Sequence, residues 1–228
     1  MTAKVQRKGR LDQHETAWRS FRSIPAGDTL VQEKCPMNMK ELVRQTRSYR
    51  RFQESHAVPM EVLEDLVDLA RLSPSGRNLQ PLKFMPCNDR DWNARIFPEL
   101  AWAGYLPDWP GPVAGERPSA YILVLGDQNL TREFGADPGI ACQSILLGAT
   151  SQGLGGCIIG SVRRDRLQQI LGIPAHLEIL LVIALGKPVE KVRIETVGPD
   201  GDVKYWRDAA GVHHVPKRAL EEILLPLH

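Results

Sequence analysis

Cysteine is scarce in this chain: Cys35, Cys87, Cys142 and Cys157 are the four among 228 residues. They are widely spaced, with no C-x-x-C pair and no histidine at zinc-ligand spacing, which argues against a disulfide scaffold and a structural zinc site and leaves free thiols as the expectation. Long apolar runs are missing too. The longest, Ile179 to Leu185, falls far short of the ~18 residues that cross a bilayer, and the polar N-terminus has no apolar core of the signal-peptide kind, so a cytoplasmic protein is expected, without membrane contact. Equally absent are the residue sets of acid–base and nucleophilic chemistry: no Ser/His/Asp, Cys/His or paired-carboxylate constellation stands out, and no catalytic side chain is assigned. The glycines of Gly153-Leu154-Gly155-Gly156 close a helix instead of joining a strand to a helix N-terminus, so they are not a dinucleotide fingerprint.

What is present reads as an ordinary globular protein, 43% hydrophobic and 25% charged, long enough for one sizeable core or two small ones. The net charge of +2 is unevenly spread: residues 1–51 hold 12 basic and 5 acidic side chains, leaving 17 basic against 22 acidic in the remainder. Such an excess can mark an arm that binds nucleic acid, but no aromatic-interleaved basic patch or helix-turn-helix pattern accompanies it. Residues 1–36 lack sustained periodicity, carry a turn signal at Ile24 to Asp28, and read as an N-terminal extension, an added arm or a stretch upstream of the natural start. A second unit, 37–228, carries every other motif.

The first of these is Thr46-Arg47-Ser48-Tyr49-Arg50-Arg51-Phe52, set where a short helix beginning near Met37 gives way to extended chain. Guanidinium forks and a hydroxyl suit a bound phosphate or carboxylate, although the same run also fits a solvated basic face. Pro59 opens an amphipathic helix that Ser73-Pro74 stops, and the loop Ser73-Pro74-Ser75-Gly76-Arg77-Asn78-Leu79-Gln80-Pro81 then leads to a strand at Leu82 to Met85. Residues 88–118 read as a loop-rich insert whose Trp92, Trp102, Tyr105 and Trp109 plug a core edge or line a cavity. Tyr121 to Leu125 and Ile179 to Leu185 lack alternation, which predicts strands covered on both faces. Between them, Asp137-Pro138 is an N-cap followed by a first-turn proline, launching a helix whose small residues Ala141, Ser144, Gly148 and Ala149 admit a close neighbour. Cys157 to Ser161 follows as an apolar strand with a glycine near its end, where backbone can approach a ligand. Arg163 to Leu171 reads as an amphipathic helix, and Val192 to Trp206 as a hairpin with a turn at Gly198 to Gly201. The adjacent His213 and His214 point in different directions in any regular structure, which disfavours a two-histidine metal site.

The order of the motifs is more telling than any one of them. R-S-Y-R-R-F, then S-P-S-G-R-N-L-Q-P, then D-P-G-I-A-C-Q-S-I-L-L-G-A-T-S-Q-G-L-G-G-C-I-I-G, then L-G-K-P and a basic C-terminal pair resembles the nitroreductase family of flavin mononucleotide (FMN) enzymes over residues 37–228. The resemblance implies an α+β fold, a central mixed or antiparallel sheet flanked by helices, built as an intertwined homodimer with FMN at the subunit interface. Carried over by position, Arg47, Ser48 and Arg50 would hold the FMN phosphate and pyrimidine edge, and Pro74, Ser75 and Asn78 would reach the flavin from the partner subunit. Ile158, Ile159 and Gly160 would run beside the ring, and Lys217 or Arg218 would complete the phosphate site. Thr46 and Leu82 depart from the family pattern, which often has a basic residue and an aromatic there. The implied activity passes hydride from NAD(P)H through FMN to a nitroaromatic, quinone or similar small acceptor. The alternatives are a sister activity on the same scaffold, of reductive dehalogenase or flavin-destructase type, and a non-catalytic flavin- or nucleic-acid-binding protein.

Overall fold

The computed structural model describes residues 38–227. The 1–36 extension, its turn at Ile24 to Asp28, and Cys35 lie outside the described residues.

Helix α1, Met39–Gln45, begins where the Asn38 side chain accepts from the Glu41 amide at 3.0 Å, and ends as Thr46 turns to extended backbone. The departure at Thr46 has a packing reason. Thr46 is buried, bonds back to the Leu42 carbonyl at 2.8 Å and sits 3.0 Å from the Thr150 hydroxyl, so a long basic side chain would have to leave the position where α1 meets the next layer. Helix α2, Met60–Arg71, follows the N-capping Pro59 and buries Leu63, Leu66 and Ala70 along one stripe.

The central sheet takes its order from four strands: β1 (Leu82–Cys87), β2 (Ala120–Asp127), β3 (Gly155–Ile159) and β4 (Leu177–Gly186). They pair throughout antiparallel in the order β1-β2-β4-β3, which leaves β1 and β3 as edges among the described residues. Strand β2 shows why its sequence lacks alternation. Ala120, Ile122 and Val124 enter one core with Leu63 and Leu66 of α2 and with α4, Asp137–Ser151; Tyr121, Leu123 and Leu125 enter a second core on the opposite face. That second core is closed by α3 (Arg90–Ile96) through Ile96, by α5 (Arg164–Leu171) through Leu167, and by Trp102. A strand packed on both sides loses its polar face.

The small residues of α4 serve contacts within the chain. A Cβ on Gly148 would overlap Leu69 and approach Leu66 of α2, and Ser144 meets the Ser73 hydroxyl at 2.6 Å. Three expectations need correction. Ala136, not Asp137, occupies the N-cap of α4; Asp137 is its first residue and turns its carboxylate to the loop before β1. The 88–118 insert is not all loop, because Asp89 caps α3 by accepting from the Asp91 and Trp92 amides, a polar start signal hidden by the short helix that follows it. Residues 192–206 do not form a hairpin. Strand β5 (Val192–Thr196) pairs in parallel with β7 (His213–Lys217), and the two-residue β6 (Trp206–Arg207) pairs antiparallel with β7 on its other side, giving a small second sheet β5-β7-β6. Residues 198–201 do form a turn, with the Gly201 amide donating to the Gly198 carbonyl at 3.0 Å, but the strand that pairs with β5 is the one after β6. A last short helix, α6, spans Leu220–Ile223.

Candidate functional site

The basic motif divides its three guanidiniums among three tasks. Arg47, half-buried at the end of α1, donates Nε to the Thr46 carbonyl at 2.5 Å and Nη2 to the Val43 carbonyl at 2.8 Å, satisfying carbonyls that a helix end leaves open. Burial lowers its pKa from the ordinary arginine value. Arg51 is committed to a forked pair with Glu116, at 2.6 and 2.5 Å, which raises the guanidinium's pKa and lowers the carboxylate's. Arg50 is left with donors to spare. Its Nη1 reaches the Ser48 carbonyl at 3.2 Å and stands 3.4 Å from His213 Nε2, and its guanidinium carbon lies 5.0 Å from the Tyr205 ring centre.

Arg50 opens on a cavity of about 190 Å³. Its floor is the free edge of β3 and the residues after it, Cys157 to Ser161, and its far wall is Ala101 to Gly104, with Tyr205 beside Arg50. Chain pairing makes the cavity. Ser48 bridges to Gly156 with the Tyr49 amide donating to the Gly156 carbonyl at 3.0 Å, which lays the motif along β3, and the Ala101 amide donates to the Ser161 carbonyl at 2.9 Å, which lays the insert along its other end. Trp102 is thus both core plug and cavity wall, uniting the two roles the sequence left open.

The glycines of β3 differ in what they do. A Cβ on Gly156 would sit 2.5 Å from the Ala184 carbonyl oxygen and 2.8 Å from Leu146, so close packing requires glycine there. A Cβ on Gly160 would meet only Leu181 at 3.8 Å, and its φ lies outside the left-handed region. Neither packing nor dihedral within this chain calls for glycine at 160; the space beside it is open to the cavity.

Of the residues singled out from the sequence, Arg50, Ile158, Ile159 and Gly160 therefore line one cavity, and Arg47 and Ser48 adjoin it along the chain. Pro74 and Ser75 line a different one, of about 340 Å³, between α2, β1 and the start of α4, and Leu82 stands in its wall. The smaller cavity is the better candidate site, because it joins an uncommitted guanidinium to an open backbone edge. Ser75 is already engaged: its hydroxyl donates to Asp137 Oδ2 at 2.6 Å and accepts from the Gln80 amide at 2.9 Å, while the Gly76 amide donates to Asp137 Oδ1 at 2.9 Å. This clamp holds a loop in which Arg77, Asn78 and Gln80 all have positive φ, between 51° and 55°, a conformation costly for residues with a Cβ. Asn78 is exposed and lines neither cavity. Lys217 lies at the far end of β7, four residues or ~13 Å of strand from His213, and Arg218 points along α6 to Glu222 at 3.5 Å.

Tyr205, His213 and Glu190 carry no sequence signal of their place at the site. Tyr205 precedes a strand of only two residues, too short to show a period, and nothing in the sequence around Glu190 marks it for burial. The histidines face opposite ways, as alternation on β7 dictates. Burial, then the charges of Arg50, Arg207 and His214, push His213 down to about 4, so at neutral pH its imidazole is uncharged beside Arg50. His214 bonds Asp208 at 3.0 Å and Glu195 at 2.7 Å, stacks 4.9 Å from Trp206, and is raised by these carboxylates, Asp208 first. The two make opposite contributions to stability. That of His213, depressed in the fold, is lost as pH falls from about 6.5 toward its folded value; that of His214, raised in the fold, is complete below the unfolded value and lost as pH rises through the folded one. Thermal unfolding of His214→Gln should therefore lose part of the alkaline decline of the parent, and His213→Gln part of its acid decline.

An α+β layered fold with an anion-ready cavity on the exposed edge of an antiparallel sheet is the class of molecule these elements define. The chain belongs to the nitroreductase family: the model of that family matches residues 43–187. A protein of Methanothermobacter thermautotrophicus, provisionally named NADH dehydrogenase/NAD(P)H nitroreductase, is 30% identical over 161 residues, covering 68% of this chain and 79% of the relative. A similarly named crystal structure from Parabacteroides distasonis superposes with a TM-score of 0.56 at 25% identity, over 67% of this chain and 88% of that one. An FMN-dependent nitroreductase from Clostridium difficile shares the fold, with a TM-score of 0.56 at 20% identity over 67% and 89% of the two chains. Among the described residues no helix is long and apolar enough to cross a membrane.

Proposed function

We propose that the chain is an FMN-dependent NAD(P)H oxidoreductase that acts as a cytoplasmic homodimer on a nitroaromatic, quinone or similar small acceptor, with residues 37–228 carrying the chemistry. The observation that carries this reading is the open space at Gly160 beside Arg50, a place where backbone and guanidinium can meet a flat anionic ligand and where this chain's own packing gives no reason for glycine. The names of the archaeal relative and of the Clostridium difficile structure agree with it.

The donor set fits FMN. Arg50 brings positive charge and unused donors to the pyrimidine edge, Arg47 and Ser48 lie toward the phosphate, and Lys217 with Arg218 supply further positive charge from the end of β7. Ile158, Ile159 and Gly160 offer a flat strand edge for the ring. At about 190 Å³ the cavity is smaller than the ~300–1,000 Å³ of sites for ligands of that size, which supports a site completed by a second copy. Pro74, Ser75 and Asn78 are the residues we assign to that contribution, with Ser75 fixing the loop through Asp137 and Asn78 left free to contact the ligand. When bound, FMN would supply the redox chemistry, hydride transfer between NAD(P)H and the acceptor. The protein's part is electrostatic and steric: Arg50 favours negative charge at the pyrimidine edge, and Trp102 and Tyr205 keep water from the cavity wall. No side chain is needed as acid or base.

The test is the cofactor content of the purified protein after incubation with FMN and removal of the excess. One FMN per chain in a species of dimer mass is expected; a folded protein that retains none overturns the reading.

A further inference from the structure

The side chain of Glu190 is fully buried, and each of its oxygens holds a different part of the cavity. Oε1 accepts from the Arg50 backbone amide, and Oε2 accepts from Arg207 Nη2 at 3.1 Å. The Arg207 guanidinium in turn lies 4.6 Å from the ring centre of Trp109 in the insert, and β6, which carries it, begins next to Tyr205. One carboxylate therefore joins the basic motif, the small sheet and the insert. These are the segments that bring the Arg50 guanidinium over the Tyr205 ring, 5.0 Å from its centre. Nothing about its surroundings is apolar convenience: a buried carboxylate survives only where donors answer it, and here both donors belong to segments of the site.

We propose that Glu190 is a positioning residue that holds Arg50 in the FMN cavity and whose negative charge, balanced by Arg207, offsets the positive field that Arg50 presents there. The proposal rests on the FMN reading above. Its consequence is directional. Flavin gains negative charge on reduction, so removing the charge of Glu190 strengthens the binding of the reduced form relative to the oxidised one, and removing the charge of Arg207 does the reverse. A merely structural carboxylate would change protein stability and leave the relative binding of the two forms unaltered.

The experiment is a spectroelectrochemical measurement of the midpoint potential of the FMN-loaded protein, with Glu190→Gln and Arg207→Gln. Glu190→Gln should bind reduced FMN at least tenfold better relative to oxidised FMN, a rise of about 30 mV for a two-electron couple, and should hold oxidised FMN more weakly than the parent because the amide cannot answer both donors. Arg207→Gln should lower the potential. Opposite signs support the proposal; potentials unchanged, or moved in the same direction in both variants, overturn it. If Glu190→Gln does not fold, the sign in Arg207→Gln decides alone, a fall supporting and no change or a rise overturning. A parent protein that binds no FMN overturns this proposal together with the functional reading, a result distinct from a loaded protein whose potential ignores both substitutions.

Discussion

Arg47 and Arg50 replaced together by alanine should give a folded but colourless protein. Each guanidinium donates charge-assisted hydrogen bonds worth about 1.5–3 kcal/mol apiece, so losing one from each costs FMN about 3–6 kcal/mol, roughly 10²–10⁴-fold in affinity. The two contributions differ in kind. Arg47 already spends Nε and Nη2 on the carbonyls of Thr46 and Val43, so its removal also loosens the end of α1, whereas Arg50 makes two long contacts through Nη1, to the Ser48 carbonyl and to His213 Nε2, and keeps its other donors for the cavity. Arg50→Ala alone should therefore account for most of the lost affinity with little change in melting temperature. Arg50→Lys should recover part of it, because a point charge remains while the planar fork is gone. Full FMN content in the double variant, measured by absorbance after gel filtration, would refute the role given to the motif.

The second large effect separates two glycines four residues apart. Gly156→Ala drives a Cβ against the Ala184 carbonyl, which belongs to the strand paired with β3 and has nowhere to go. Overpacking of this kind costs about 1–3 kcal/mol, or about 2–12 °C in melting temperature for a chain of this size. Gly160→Ala meets no such wall and should melt within about 1 °C of the parent, since a surface change without a named clash is close to neutral. Its methyl group projects into space we assign to the cofactor, so FMN affinity should fall where stability does not. Calorimetry paired with FMN titration reads both quantities. Gly160→Ala binding FMN like the parent would mean that the strand edge does not approach the ring.

Much of the fold could be read from the chain because single strands and helices advertise how they are packed. The unbroken apolar runs of β2 and β4 announce helices on both faces, and Pro59 and Pro138 mark helix starts by chemistry that acts locally. What failed was pairing between distant segments. Val192–Thr196 looked like the first arm of a hairpin because Gly198 to Gly201 is a turn, yet its partner is β7, and no local pattern distinguishes a strand that folds back at once from one that waits for the next. The site shows the same division. The anion-binding character of Arg50 and the approachable backbone at Gly160 were visible as residue types, and the structure puts them around one cavity. That Arg51 is tied up by Glu116, that Ser75 is spent on Asp137, and that Glu190 is buried beneath Arg50 all depend on contacts across 60 or more positions of chain. The order of the motifs, through which the chain resembles the nitroreductase family, carries this long-range information without stating its geometry.

Transfer of reducing equivalents from NAD(P)H through bound FMN is to be read by anaerobic spectrophotometry of the FMN-loaded protein. Addition of one equivalent of NADH or NADPH should bleach the flavin absorbance near its visible maximum, and a nitroaromatic or quinone added without oxygen should restore it. A loaded protein whose spectrum is unchanged by either nucleotide would contradict the account and leave a flavin-binding protein without this activity.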